Sequence, residues 1–107
     1  MIISNNTQLN ETIDESIHIA ESSVLNAYGI INGNVYVESS ATFNLFGTLN
    51  GDLYTSPNTK SYLYGTLNGS IVTNDGFIEL SGLLNTKHPV SENVIKKSGC
   101  YINGTKF

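Results

Sequence analysis

One hexapeptide pattern returns three times: Tyr28-Gly29-Ile30-Ile31-Asn32-Gly33, Phe46-Gly47-Thr48-Leu49-Asn50-Gly51 and Tyr64-Gly65-Thr66-Leu67-Asn68-Gly69. Its asparagines fall at 32, 50 and 68, a period of 18 residues. Extended backwards, the register meets Ile13-Asp14, with aspartate in the asparagine slot. Forwards it meets Leu84-Asn85 and then Ile102-Asn103-Gly104. A fixed period over nearly all of the 107 residues implies stacked units, none able to bury its apolar side chains alone.

The remaining columns keep the same register. Ile17, Val35, Leu53 and Ile71 stand three residues after the mark, followed by His88 and Lys106; Ile19, Val37, Thr55, Thr73 and Val90 stand two further on. Ala27, Leu45, Leu63 and Leu80 form a third column, after one deletion, and Leu25, Phe43, Ser61 and Ile78 a fourth. Polar residues alternate with these, as in Thr42-Phe43-Asn44-Leu45, which is the period of short strands with one buried face. The window from Ser91 to Lys97, where the strand pattern is weakest, is too short to be a stable helix by itself. The expected fold is all-β: a single-domain β-solenoid, or β-helix, of about six 18-residue coils over residues 1–107, with irregular terminal coils. At roughly 4.8 Å per coil its length is on the order of 29 Å. The glycines at 29, 47, 65, 82, 33, 51 and 69 are expected to supply positive φ at tight corners. The stacked asparagines are expected to form side-chain amide ladders.

Composition narrows the function. The formal charge is −4, with nine acidic residues, five lysines and no arginine, so phosphate neutralisation and hence nucleic-acid binding are not expected. No run approaches the roughly 20 apolar residues of a membrane span. The opening residues Met1 to Thr7 carry neither a cationic region nor a long apolar stretch, so no signal peptide is read. A single cysteine, Cys100, suits a reducing compartment, and a cytoplasmic location is expected. No catalytic set, metal site or cofactor is expected. Cys100 has no histidine nearby in sequence, and His18 and His88 are four repeats apart. Thr12, Thr48 and Thr66 share a column that Ile30 and Leu83 interrupt.

The outward columns are richer. One reads His18, Tyr36, Tyr54, Val72, Pro89 and Phe107, and another Tyr28, Phe46 and Tyr64. Rings on neighbouring strands stabilise a sheet, and exposed tyrosine rows flanked by charge also serve protein-binding surfaces. Tyr36, Tyr54 and Val72, with Glu38 and Asp52 beside them, are the expected partner-binding residues, and another protein, basic in character, is the expected partner.

The stretches Gly47-Thr48-Leu49-Asn50-Gly51-Asp52-Leu53 and Gly65-Thr66-Leu67-Asn68-Gly69-Ser70-Ile71 resemble the repeats of the bactofilins, bacterial polymer-forming proteins built on a right-handed β-helix. The resemblance is clearest from Gly29 to Gly82 and implies a structural protein that self-associates end to end through its terminal coils. The residues themselves favour a non-catalytic acidic binding module, such as an immunity or inhibitor protein that neutralises a basic toxin or enzyme.

The columns make a direct prediction. Leu49 should sit in the core between Ile31 and Leu67, so Leu49→Asp should abolish cooperative thermal unfolding, because a buried unpaired carboxylate costs several kcal/mol. Thr48→Asp, one residue away and outward, should melt close to wild type.

Overall fold

Runs of two to four alternating residues, each ended by a glycine, asparagine or serine corner, can form only short strands, and short strands gain stability by pairing up and down a stack. The structure, a computed structural model, describes residues 1–91 and 93–107, with backbone alone at Thr73 and Asn74. Its strands form three sheets, and the chain visits them in rotation from β1 to β15. The first sheet holds β1 (Ile2–Ile3), β4 (Ile17–Ile19), β7 (Val35–Val37), β10 (Leu53–Thr55) and β13 (Ile71–Asn74). The second holds β2 (Thr7–Leu9), β5 (Val24–Ala27), β8 (Thr42–Leu45), β11 (Lys60–Leu63), β14 (Phe77–Leu80) and β16 (Val94–Lys96). The third holds β3 (Thr12–Ile13), β6 (Ile30–Asn32), β9 (Thr48–Asn50), β12 (Thr66–Asn68), β15 (Leu83–Asn85), β17 (Tyr101–Ile102) and β18 (Thr105–Lys106). The result is a three-sided β-solenoid, with no helix among the described residues.

Parallel pairing carries the 18-residue register directly, with Leu49 opposite both Ile31 and Leu67, and Leu53 opposite both Val35 and Ile71. The inward columns form one core: Ile17, Val35 and Leu53; Leu25, Phe43 and Ile78; Ala27, Leu45, Leu63 and Leu80; Ile31, Leu49, Leu67 and Leu84. In the second of these columns Ser61 follows the bulky Phe43. It is fully buried, and its hydroxyl has no hydrogen-bond partner among the described residues. Thr73, expected inward, has its side chain outside the described residues.

The expected amide ladder is present from Asn85 down, whereas Asn103, next in register, instead accepts the Thr86 N–H at 2.8 Å. Asn85 donates to Asn68 (2.8 Å), Asn68 to Asn50 (2.9 Å), Asn50 to Asn32 (2.9 Å) and Asn32 to Asp14 (2.8 Å). A second, shorter one joins Asn44 to Asn26 at 2.9 Å. In a third series the side-chain oxygens of Ser16, Asn34 and Asp52 accept the backbone N–H of Asn34, Asp52 and Ser70, at 2.9–3.0 Å.

The glycines act differently from the expectation. None of the seven corner glycines has positive φ; among the described residues only Gly99 (93°) and Gly104 (82°) do. Left-handed corners fall instead at Ser22 (62°), Ser40 (64°) and Asn58 (63°), themselves 18 residues apart. The corner glycines are required by contact. A Cβ on Gly47 would lie 1.9 Å from the Gly29 carbonyl oxygen, and one on Gly65 would lie 2.0 Å from that of Gly47.

Five coils have all three strands and a sixth is incomplete. Residues 86–91 form no strand where the first sheet would continue; Pro89 has no N–H to give a ladder, and His88 is exposed in a column of buried aliphatic residues. The third sheet ends in an antiparallel hairpin, β17 against β18. The fifth coil is irregular too. Leu53 pairs Ile71 but Tyr54 pairs Thr73, so a bulge inserts Val72, and the following corner shrinks from four residues (56–59) to two (75–76).

Gly47→Ala should therefore cost about 3–5 kcal/mol, as severe steric lesions do, because the stacked backbone must part. Gly104→Ala, which meets nothing within 4 Å, should cost only about 1–2 kcal/mol for its left-handed φ. Urea unfolding of the two variants checks the contrast.

Candidate docking surface

Sheet geometry decides what the outward rings can do. On the first sheet His18, Tyr36 and Tyr54 stack face to face, with centroids 4.4 and 4.7 Å apart and interplanar angles of 9° and 14°. Both tyrosines are partly buried, and Asn34 donates to the Tyr36 hydroxyl at 3.4 Å. Of the carboxylates expected beside them, Glu38 is exposed and lies 3.7 Å from the His18 Nδ1. Asp52 instead accepts the Ser70 N–H, so one of its oxygens belongs to the stack between coils. Val72 is exposed but is the bulged residue, and the backbone partner of Tyr54 is Thr73. The structure thus brings Tyr36, Tyr54 and Glu38 together, ties Asp52 inward, and takes Val72 out of the stripe's register.

A second aromatic surface lies on the second sheet and the corner after it. Tyr28, Phe46 and Tyr64 immediately follow β5, β8 and β11 and stack at 4.7 and 5.2 Å, with interplanar angles of 11° and 6°. Tyr62 extends the row sideways, 6.2 Å from Tyr64, and Phe77 lies 5.9 Å beyond it at 56°. Tyr28, Phe46, Tyr64 and Phe77 are 50, 42, 47 and 40% exposed, which makes this the more open of the two aromatic surfaces. The rings of the row cover one another's faces, so solvent meets a strip of ring edges and hydroxyls. That strip suits packing against another protein's side chains better than stacking a flat ligand.

The shortened corner leaves an open cleft at the end of the row, lined by Asn58, Thr59, Lys60, Asp75, Gly76 and Phe77. Sequence reasoning marked Tyr28, Phe46 and Tyr64 as an outward column but placed the binding residues on the other stripe, and it missed Tyr62 and Phe77. Tyr62 stands two residues before Tyr64, the strand spacing for one face. Phe77 aligns with Lys60 once the deletion is assigned to the corner.

In a solenoid, position in sequence becomes height along the stack, so charge is sorted by height. Glu11, Asp14, Glu15, Glu21, Glu38 and Asp52 precede residue 53 with no lysine among them, whereas Lys87, Lys96, Lys97 and Lys106 crowd the last coil. Cys100 is buried in the core, and among the described residues no three His, Cys, Asp or Glu side chains gather as a metal site. No protein-family model matches the chain, and no curated protein or solved structure is significantly similar to it.

The two surfaces should separate on mutation. Tyr36→Ala removes a ring sandwiched on both sides and should cost about 2–3 kcal/mol, whereas Tyr28→Ala, at the end of its row and half in solvent, should cost less than about 1 kcal/mol. Urea denaturation midpoints give the comparison.

Proposed function

We propose that this solenoid is a non-catalytic docking module that binds another protein on the Tyr28–Phe46–Tyr64–Tyr62–Phe77 surface. The observation that carries the reading is the contiguous exposed ring row ending at a cleft. Such rings contribute large contact area at small entropic cost, and a cleft beside them can take an anchoring side chain. The acidic lower coils, where Tyr28 and Phe46 stand, would steer a basic partner towards this surface and repel an acidic one. A basic toxin or enzyme that the module covers and neutralises fits this chemistry. The first-sheet stack, with Glu38 at its edge, is then a structural seam flanking the contact.

The bactofilin resemblance favours end-to-end self-association instead. Against it stands β18, whose antiparallel pairing covers the edge of β17 where the next copy's parallel strand would have to continue the third sheet.

Calorimetric titration with the basic products of neighbouring genes tests the proposal. One of them should bind, and Tyr28→Ala, at the open end of the row, should weaken it by about 1–3 kcal/mol with little change in melting temperature. Equal binding by the variant would refute the surface. Light scattering at rising protein concentration should give one fixed particle mass, and open-ended growth would overturn the docking reading in favour of the filament.

A further inference from the structure

The dipeptide Asn-Gly occurs four times, at 32–33, 50–51, 68–69 and 103–104, and the fold treats the fourth copy unlike the others. Glycine after asparagine is the arrangement most open to intramolecular attack, since no side chain keeps the glycine nitrogen from the asparagine Cγ. At the first three sites both reacting groups are engaged. Asn32, Asn50 and Asn68 each donate and accept in the amide ladder, and the N–H groups of Gly33, Gly51 and Gly69 donate to the carbonyls of Asn50, Asn68 and Asn85 at 3.0–3.2 Å.

Asn103 and Gly104 form the exposed two-residue turn between β17 and β18, with φ of 51° and 82°. The Gly104 N–H donates to no backbone carbonyl among the described residues. The Asn103 Oδ1 accepts the Thr86 N–H at 2.8 Å, which polarises the Cγ carbonyl and stabilises negative charge on that oxygen when a nucleophile adds.

We propose that Asn103–Gly104 is a self-modification site, at which the hairpin turn deamidates while the three laddered copies are held intact. The Gly104 nitrogen, losing its proton to solvent base, bonds to the Asn103 Cγ. The Cγ–Nδ2 bond then breaks, and the amide leaves as ammonia after taking up a proton from water. Water opens the resulting cyclic imide at either carbonyl, giving aspartate or isoaspartate; the balance is asparagine plus water to acid plus ammonia. Isoaspartate routes the main chain through the former side-chain carbon, which a two-residue turn cannot absorb. The bonds from the Gly99 N–H to the Phe107 carbonyl and from the Phe107 N–H to the Cys100 carbonyl, both 2.8 Å, would then open.

The test holds folded protein in mildly alkaline buffer and follows each Asn-Gly peptide by mass spectrometry. Asn103 should convert at least about tenfold faster than the laddered sites, which react only from a transiently opened fraction, and isoaspartate should be among its products. In denaturant the four sites should converge. Amide exchange at Gly99 and Phe107 should quicken as isoaspartate accumulates, and Asn103→Gln should prevent this. Conversion of Asn103 at the laddered sites' rate in the folded protein overturns the proposal. So does aspartate without isoaspartate, the mark of direct hydrolysis.

Discussion

A residue and the one 18 positions later occupy the same place in consecutive coils, separated only by the strand spacing of about 4.8 Å. Every other property of the molecule answers to that vertical contact. Where the backbone turns most sharply, carbonyl oxygens of one coil lie where the next coil's Cβ would be, and only glycine fits, as at Gly47 over Gly29. Where side chains point inward, like stacks on like, giving uninterrupted aliphatic columns such as Ile31–Leu49–Leu67–Leu84. Where they point outward, the same spacing equals the contact distance of stacked rings and of paired amides. A column can therefore hold tyrosine or asparagine repeatedly and be stabilised by the repetition.

The sequence made the coil legible because period 18 and period two are both visible in the residues themselves. Leu49 and its neighbours followed, as did the asparagine ladder and the outward direction of Tyr36 and Tyr54. Period two says which way a side chain points but not how far its neighbours cover it, so Tyr36 looked as open as Tyr28, although it is flanked by His18 and Tyr54. The glycine columns were read as conformational for a similar reason. A residue without a side chain satisfies a positive φ and a close approach equally well in sequence, and the left-handed corners went to Ser22, Ser40 and Asn58. Around Val72 one residue is gained in the strand and two are lost at the corner, and only the net deletion of one shows. The closing hairpin was hidden because Lys106 and Phe107 keep the repeat spacing while the chain reverses.

The ends differ from the middle in what holds them. A central coil is paired above and below on all three sheets, while the sixth lacks its first-sheet strand and relies on a short hairpin. In a stack whose stability is a sum of neighbour terms, unfolding should begin at such a coil and travel inward. The ring rows sit on the central coils, where the backbone beneath them is most constrained.

The amide ladder also has a direction. Each asparagine from 85 down to 32 gives its N–H to the coil below, so the amide dipoles align head to tail, as peptide groups do in a helix. The hydrogen-bearing end of the row meets the Asp14 carboxylate, an acceptor with nothing to donate, placed where a donor is not needed. A carboxylate at the opposite terminus, in the position of Asn85, would instead set two acceptors against each other. The same acidic residue thus completes the row at one end and would break it at the other. The stack therefore has a chemical bottom and top: the row is left open at Asn85, where Asn103 of the next coil accepts from Thr86 instead, whereas below Asp14 it is closed.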